Sequence, residues 1–394
     1  MSWPDVVTKD VCELAVDCVN KTAPTVDYET PYRMLRTTNV RGGFINSVDP
    51  RYVTEEVFEK WTRRSRPLWG DVILTREAPL GDIGRVTTDE TVFLGQRLFH
   101  YRANPKLLDP LFLAYVLQSP LVQGRIKSKG FGATVHHARV GDCENLLIPY
   151  PPLATQKIIG QTLAAYDDLI ENNRRRIQLL EESARLLYRE WFVHLRFPGH
   201  EHVKVVDGVP EGWRIKPLSE LADMVMGQSP KSEYYNDEGD GLPFHQGVTN
   251  YGERFVEHNT YCLKPTRVVE AGDILCSVRA PVGRLNITLD KIAIGRGLSA
   301  LRSKTGNQSF LLYQLKTYFF KEDIIGSGAI YAAVTKKDME NIPLLTPNTK
   351  LIEEFEETSK AIDAQIQNLT KQNRQLSEAR DLLLPRLMNG DIAV

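Results

Sequence analysis

The chain has 394 residues, of which 42% are hydrophobic and 25% charged, and its net charge is −1. That is enough chain for two or three domains, each with its own core, in an ordinary globular composition. No apolar run approaches the roughly 18 residues of a membrane span. The start Met1-Ser2-Trp3-Pro4-Asp5 lacks the basic and apolar stretches of a signal peptide, and the five cysteines include no Cys-x-x-Cys pair. A membrane helix, structural disulfides and a cysteine-rich zinc site are therefore not expected, and a cytoplasmic location is.

Residues 1–150 read as a first globular domain of short strands, turns and a few helices. Asp71 to Thr75 is an apolar strand between Gly70 and the Ala78-Pro79 turn. Pro110 to Val122 has helical spacing and ends near Gly124. Asn145 to Pro149 is a last strand, closed by Pro149, Pro151 and Pro152, which cannot continue a ladder.

Residues 151–200 read as a central long helix and a linker. From Leu153 to Arg196 there is no Pro, and Gly160 is the single Gly. Ile159, Leu163, Tyr166, Ile170, Asn173, Ile177, Leu180, Ala184, Leu187 and Trp191 follow at steps of four and three, a heptad seam. A helix this long, about 60 Å at 1.5 Å per residue, needs a partner. Phe197-Pro198-Gly199-His200 is the linker, and Gly212-Trp213 opens a second globular domain, residues 201–346.

Residues 347–394 supply the partner helix. Phe355, Ser359, Ile362, Ile366, Leu369, Asn373, Leu376, Arg380, Leu383 and Leu387 repeat the seam. Each seam carries one central Asn, which costs stability and pins register. Because each helix follows its own globular domain, an antiparallel coiled coil with a domain at each end is the economical arrangement.

The second half repeats the first. Gly70-Asp71-Val72-Ile73-Leu74 returns as Gly272-Asp273-Ile274-Leu275-Cys276, and Ala78-Pro79-Leu80-Gly81 as Ala280-Pro281-Val282-Gly283. Asn145, Pro151, Asp167, Leu180, Glu182 and Leu187 return at one offset of 196 as Asn341, Pro347, Asp363, Leu376, Glu378 and Leu383. A period this long marks a duplicated globular unit, not a solenoid. The expected fold is α+β with pseudo-twofold internal duplication: two similar domains of short, twisted, largely antiparallel sheets with helices, joined by the coiled coil. Two similar but diverged surfaces suit reading two related but different things.

Catalytic chemistry is not legible. Pro149-Tyr150-Pro151-Pro152 lacks the acid or amide that an amino-methyltransferase loop places before its prolines. Gly130-x-Gly132 and Gly326-x-Gly328 do not sit in a βαβ unit, and there is no P-loop. His136 and His137 would point opposite ways on a strand. No catalytic residue and no metal ligand is expected. Local basic runs do point to a polyanion: residues 124–139, 60–66 and 279–304 are nearly free of acids.

Three features together resemble the specificity subunit of type I restriction-modification systems. They are the duplication with its two heptad helices, the run Pro151-Pro152-Leu153-Ala154-Thr155-Gln156-Lys157, and the Gly212-Trp213 opening. The Pro-Pro-Leu-x-x-Gln signature appears once in full and is reduced to Thr346-Pro347-Asn348-Thr349 in the second copy. The resemblance implies that each domain is a target-recognition domain reading half of an asymmetric bipartite site in double-stranded DNA. It implies that the coiled coil spaces the half-sites and docks methyltransferase subunits, two of them. S-adenosylmethionine, ATP and Mg are then expected on partners, with restriction/translocase subunits joining through the assembled complex. The chain itself would be a non-catalytic subunit of a type I endonuclease and adenine methyltransferase complex. DNA-reading candidates are Arg33, Arg36, Asn39, Arg41, Arg125, Lys127, Lys129, Thr134, His136, His137 and Arg139 in the first domain. In the second they are Lys231, His245, Gln246, Asn250, Arg254, Arg279, Arg284, Arg296 and Lys336. Thr38-Asn39 and Thr249-Asn250 pair at an offset of 211. The rival readings are a coiled-coil scaffold that never binds DNA and a DNA methyltransferase fused to its recognition domains.

Overall fold

The same four-strand frame is built twice. A computed structural model describes residues 3–46, 49–130, 136–319 and 333–392. It divides into unit 1, Met1–Arg174 with Thr370–Val394, and unit 2, Arg175–Leu369. The division falls within both long helices, so each unit holds a stretch of each.

In unit 1 the main sheet runs Cys12–Asp17, Leu98–Ala103, Val72–Arg76, Leu80–Arg85, Gly43–Ile45, Val40–Arg41. In unit 2 the corresponding sheet runs Ala222–Met226, Leu298–Ser303, Ile274–Ser277, Leu285–Ile287. The central strands Val72–Arg76 and Ile274–Ser277 open on apolar runs, Val72-Ile73-Leu74 and Ile274-Leu275-Cys276, because both faces are covered there. Val72 and Leu74 enter a core with Phe112, Leu113 and Leu117, while Ile73 enters another with Leu35, Val92 and Leu94. Unit 2 repeats the alternation: Ile274 and Cys276 pack with Leu311 and Leu315, and Leu275 with Ile292 and Ile294. Successive strand side chains point to opposite faces, so one strand serves two cores.

The sheets are largely antiparallel, with one parallel strand pair common to both units. Tyr32–Leu35 runs parallel to Thr91–Leu94, and Leu242–His245 parallel to Ile292–Ile294. The offset of 211 is structural. Thr37–Asn39 and Val248–Asn250 are both 3₁₀ turns, and Phe44 and Phe255, at the same offset, make parallel pairings with Arg85 and Ile287.

The expected helix from Pro110 to Val122 is in fact two, Pro110–Gln118 and Pro120–Ser128. Ser119 breaks it. Its hydroxyl accepts from Val122 N at 3.4 Å, and Pro120 takes the first position, where no N–H is needed. Arg125 and Lys127 therefore lie on a helix and not in a loop, and Gly124 is internal to it.

The central helix spans Leu153–Tyr188, with a π turn at Arg189–Val193, and the C-terminal helix spans Thr349–Met388. Gln156 explains the signature at the first helix start. Fully buried, its Oε1 accepts from Asp109 N and its Nε2 donates to Pro151 O, both at 2.9 Å. That bond ties the helix to the N-terminus of Pro110–Gln118. Gly160 permits the contact, since a Cβ there would sit 2.9 Å from Phe112 N. In unit 2, where the Gln is missing, Glu356 accepts from Ser309 N and Phe310 N at 3.2 and 2.9 Å. The same helix N-terminus is held from one turn further along.

Within each unit the two long helices run antiparallel. In unit 1 Asn173 Nδ2 donates to Asn373 Oδ1 at 3.0 Å, and Asn373 Nδ2 to Ile170 O at 3.3 Å. In unit 2 Ile177, Ile366 and Leu369 form a buried cluster flanked by Leu180, Ile362 and Phe255. The seam is not a uniform zipper. Ile159 and Leu163 are buried in the first domain's core beside Leu387, with Leu383 against it. Leu187 and Phe355 join an aromatic cluster with Tyr188, Phe192, Trp213 and Phe310. Leu376 is half-buried. The ends of the pattern are apolar because they dock domains.

Ile366 is fully buried in the helix pair. Ile366→Ala should lower stability by about 2–5 kcal/mol through lost burial and a residual cavity. Urea unfolding followed by far-ultraviolet circular dichroism measures it; an unchanged midpoint contradicts the helix-pair packing.

Candidate nucleic-acid interface

Three backbone hydrogen bonds recur in both domains and gather distant segments at the ends of neighbouring strands. Gly95 N donates to Leu35 O at 2.8 Å, and Gly295 N to His245 O at 2.8 Å. Arg76 N donates to Arg97 O at 2.8 Å, and Val278 N to Gly297 O at 2.9 Å. Ala138 N donates to Arg76 O at 2.9 Å, and Val334 N to Val278 O at 2.9 Å. The bridges Glu77–His137 and Arg279–Ala333 extend the match. Position 77 therefore corresponds to 279, 96 to 296 and 137 to 333. Leu35 matches His245, and because the following 3₁₀ turn starts one residue later in the second domain, Gln246 and Gly247 together stand where the first has Arg36.

The frame is common and the side chains are not. The first domain carries Arg36, Glu77, Gln96 and His137 where the second carries Gln246, Arg279, Arg296 and Ala333. Close packing holds the second set in place: a Cβ on Gly297 would meet Gln246 O at 2.3 Å. Ser229 Oγ accepts from Arg296 N at 3.2 Å, which brings the exposed Gln228 to the same edge. Gln96, Glu77 and Gln228 were not among the sequence candidates. The signal for Gln96 was present in Gly95-Gln96-Arg97-Leu98 against Gly295-Arg296-Gly297-Leu298, one offset of 200.

The other candidates separate by burial and pairing. Arg41, Lys127, Lys129, His136, His137, Arg139, Gln246, Arg279, Arg284 and Arg296 are exposed. Lys231 and Lys336 are exposed and approach Glu233 and Glu340 at 3.9 and 3.4 Å. Asn250 is half-buried in its turn. Arg33 pairs with Glu90, Arg36 with Asp49 at 2.9 Å, and Arg125 with Asp5 at 2.9 Å and Leu147 O at 2.8 Å. Such surface pairs are weak, about 0–1 kcal/mol, but they occupy the cations. Thr134 lies outside the described residues.

Three candidates are corrected by burial. Asn39 is 4% exposed, and its Oδ1 accepts from Arg36 N at 2.9 Å, closing a turn. His245 is 1% exposed, with Nε2 2.9 Å from His258 Nδ1 and His258 Nε2 3.0 Å from Asp290. Burial, with His258 adding to it, pushes the His245 pKa down to about 4, so this ring is neutral.

Arg254 is 6% exposed and joins Glu181 and Asp363, while Lys316 reaches Glu181 at 3.0 Å and Ser309 Oγ donates to Asp363 at 2.6 Å. Burial opposes its charge, but Asp363 and Glu181 outweigh that and hold its pKa above the ordinary value. Burial likewise raises Glu181, and Arg254 and Lys316 overcome it to leave a net lowering. These groups clamp the second domain to the long helices of its own unit. Among the described residues no group of three His, Cys, Asp or Glu side chains is placed to hold a metal, and no helix is long and apolar enough to cross a membrane.

A duplicated frame with different polar residues at matched edge positions defines a class, that of two-domain recognition proteins. The family model for the type I restriction modification DNA specificity domain matches residues 3–182 and 210–378. The putative type I restriction enzyme MjaX specificity subunit of Methanocaldococcus jannaschii is 30% identical over 374 residues, covering 92% of this chain and 88% of that one. The HindI specificity subunit of Haemophilus influenzae is 24% identical over 363 residues, covering 74% and 78%. In fold the chain is similar to the crystal structure of a type I restriction-modification S subunit from M. genitalium. The TM-score is 0.60 at 20% identity, covering 98% of this chain and 96% of that one. The chain belongs to the type I restriction-modification DNA specificity family, and is a non-catalytic specificity subunit that supplies sequence-specific DNA recognition.

Two outcomes follow from the buried groups. Arg254→Ala takes the shared cation from Glu181 and Asp363, leaving Lys316 on the first and Ser309 on the second, and should cost about 1–3 kcal/mol. Calorimetry should record a lower melting temperature for the variant, with its preferred DNA sequence unchanged; an altered base preference would return Arg254 to the reading set. His245 is depressed in the folded state, so the unfolded chain binds the extra proton between about pH 6.5 and 4. Its contribution is complete above pH 6.5 and is lost as pH falls toward 4, a few kcal/mol in all. The pH dependence of unfolding should flatten in His245→Gln across that window, with His258 and Asp290 retained.

Proposed function

We propose that each domain reads one half of an asymmetric bipartite site in duplex DNA. The observation that supports this reading most directly is the recurrence of three backbone hydrogen bonds that present Arg36, Glu77 and Gln96 in one domain and Gln246, Arg279 and Arg296 in the other. Arg, Gln and Glu are the side chains that distinguish guanine, adenine and cytosine edges in the major groove. Exposed cations nearby, Lys127 and Lys129 in the first domain and Arg284 and Lys336 in the second, would hold phosphates and set register without reading sequence.

The two long helices act as the spacer between half-sites and as the dock for two methyltransferase subunits, with restriction subunits joining through that assembly. S-adenosylmethionine, ATP and Mg belong to those partners, and the complex works on DNA in the cytoplasm. A scaffold that never binds DNA would have no use for matched edges that differ in charge.

The test is a domain exchange. Residues 1–150 are replaced by the matching domain of a relative, and the protein is assembled with its methyltransferase subunits. Sequencing of methylated sites should show one half-site changed and the other intact. Change in both halves overturns modular reading.

A further inference from the structure

Matched positions in a duplicated frame allow one domain to serve as the control for the other. Positions 96 and 296 occupy the same two-residue turn. In both domains the turn follows a glycine whose N–H is fixed by the facing parallel strand, and its second residue gives its carbonyl to the neighbouring strand. The backbone at this point is held on both sides, although the turns themselves are not identical: Arg97 has φ +69°, and Gly297, which lacks a positive φ, donates its N–H to Gln246 O at 3.1 Å. Arg296 is exposed and Gln96 half-exposed, and neither makes an ion pair or side-chain hydrogen bond among the described residues. Their neighbours differ in availability. In the first domain Arg36 is taken by Asp49, and Glu77 lies 3.2 Å from Arg97. Gln96 is thus the unencumbered long polar side chain of the three there.

Resting on the half-site reading above, we infer that Gln96 and Arg296 are specificity-determining residues at one equivalent base position in each half-site, Gln96 selecting adenine and Arg296 selecting guanine. The chemistry assigns the bases: a guanidinium spans guanine O6 and N7, and a carboxamide spans adenine N6 and N7. A phosphate clamp would keep an available cation in this turn in both domains, because phosphate is the same in every sequence, and the first domain's Arg97 is engaged by Glu77 at 3.2 Å. A neutral amide at one copy of the position and a guanidinium at the other is the pattern of base reading.

The complex with methyltransferase subunits is used to select from a randomised duplex library. Wild-type protein should return two half-sites. Arg296→Gln should convert one guanine to adenine in one half-site, a switch of on the order of ten- to a hundredfold in preference, with the other half unchanged. Gln96→Arg should convert one adenine to guanine in the opposite half. Arg296→Lys, which keeps charge and bulk, should retain guanine with weaker discrimination. Both sites are surface turns, and melting temperatures check that each variant is folded. If Arg296→Gln binds all sequences more weakly in equal measure, Arg296 is a phosphate contact and the inference falls. If the wild-type motif is bipartite and neither exchange alters a base, the inference falls and half-site reading stands. If wild-type protein selects no bipartite motif, half-site reading itself fails and the inference with it.

Discussion

A carboxylate on a long helix, buried in unit 1 and half-buried in unit 2, ties each globular domain to the long helices of its own unit. In unit 1 Asp167 of the central helix accepts from Tyr115 Oη and pairs with Arg380. In unit 2 Asp363 of the C-terminal helix accepts from Ser309 Oγ and pairs with Arg254. The two aspartates stand 196 residues apart, the offset of the duplication. A carboxylate drawn wholly or partly out of water is favoured where it is paired and hydrogen-bonded, so each prefers one arrangement. A domain held by such contacts has less freedom to rotate on its helices than one held by apolar packing alone. For a protein that reads sequence at a set register, that rigidity matters more than the net stability the pair contributes.

The same strand frame carries two different sets of side chains because hydrogen bonds between strands ignore side chains. The bonds from Gly95 to Leu35 and from Gly295 to His245 are made by main-chain atoms. Evolution of the two copies could therefore change what stands at the edge without disturbing the frame. What changed elsewhere was compensated locally. The second copy lost the amide that Gln156 supplies in the first, and Glu356 holds the corresponding helix N-terminus instead. His100, which meets Asp71 at 2.7 Å, lies on a strand that has Ala300 in the second copy, while Arg102 and Arg302 keep their partners Asp71 and Asp273.

The long helices, the duplication and the strand Val72–Arg76 were legible in the sequence because each is written in local periodicity or in exact recurrence. That each seam carries a central Asn was legible for the same reason, and the structure shows that Asn173 and Asn373 bond to each other. The heptad pattern misled at its ends. Ile159 and Leu187 satisfy the seam spacing, yet they are buried against domain cores, and apolar spacing records that a face is covered without recording by what. Ser119-Pro120 was passed over as a helix break because the apolar period runs through it.

The reading edge was the least legible part. Arg254, His245 and Asn39 have the residue types of base readers, and burial removes all three. Gln96 was missed because a single polar residue between Gly95 and Arg97 has no periodicity to mark it. The sequence by itself determined that there are two copies of one unit, that each ends in a long amphipathic helix, and that the copies have diverged. Those properties are local or repetitive, and a linear pattern carries them. Only the tertiary structure decided which polar residues share an edge and which are sealed in ion pairs. Gln246, Arg279 and Arg296 are far apart along the chain, and the strand hydrogen bonds at Gly295 and Val278 bring them to one place.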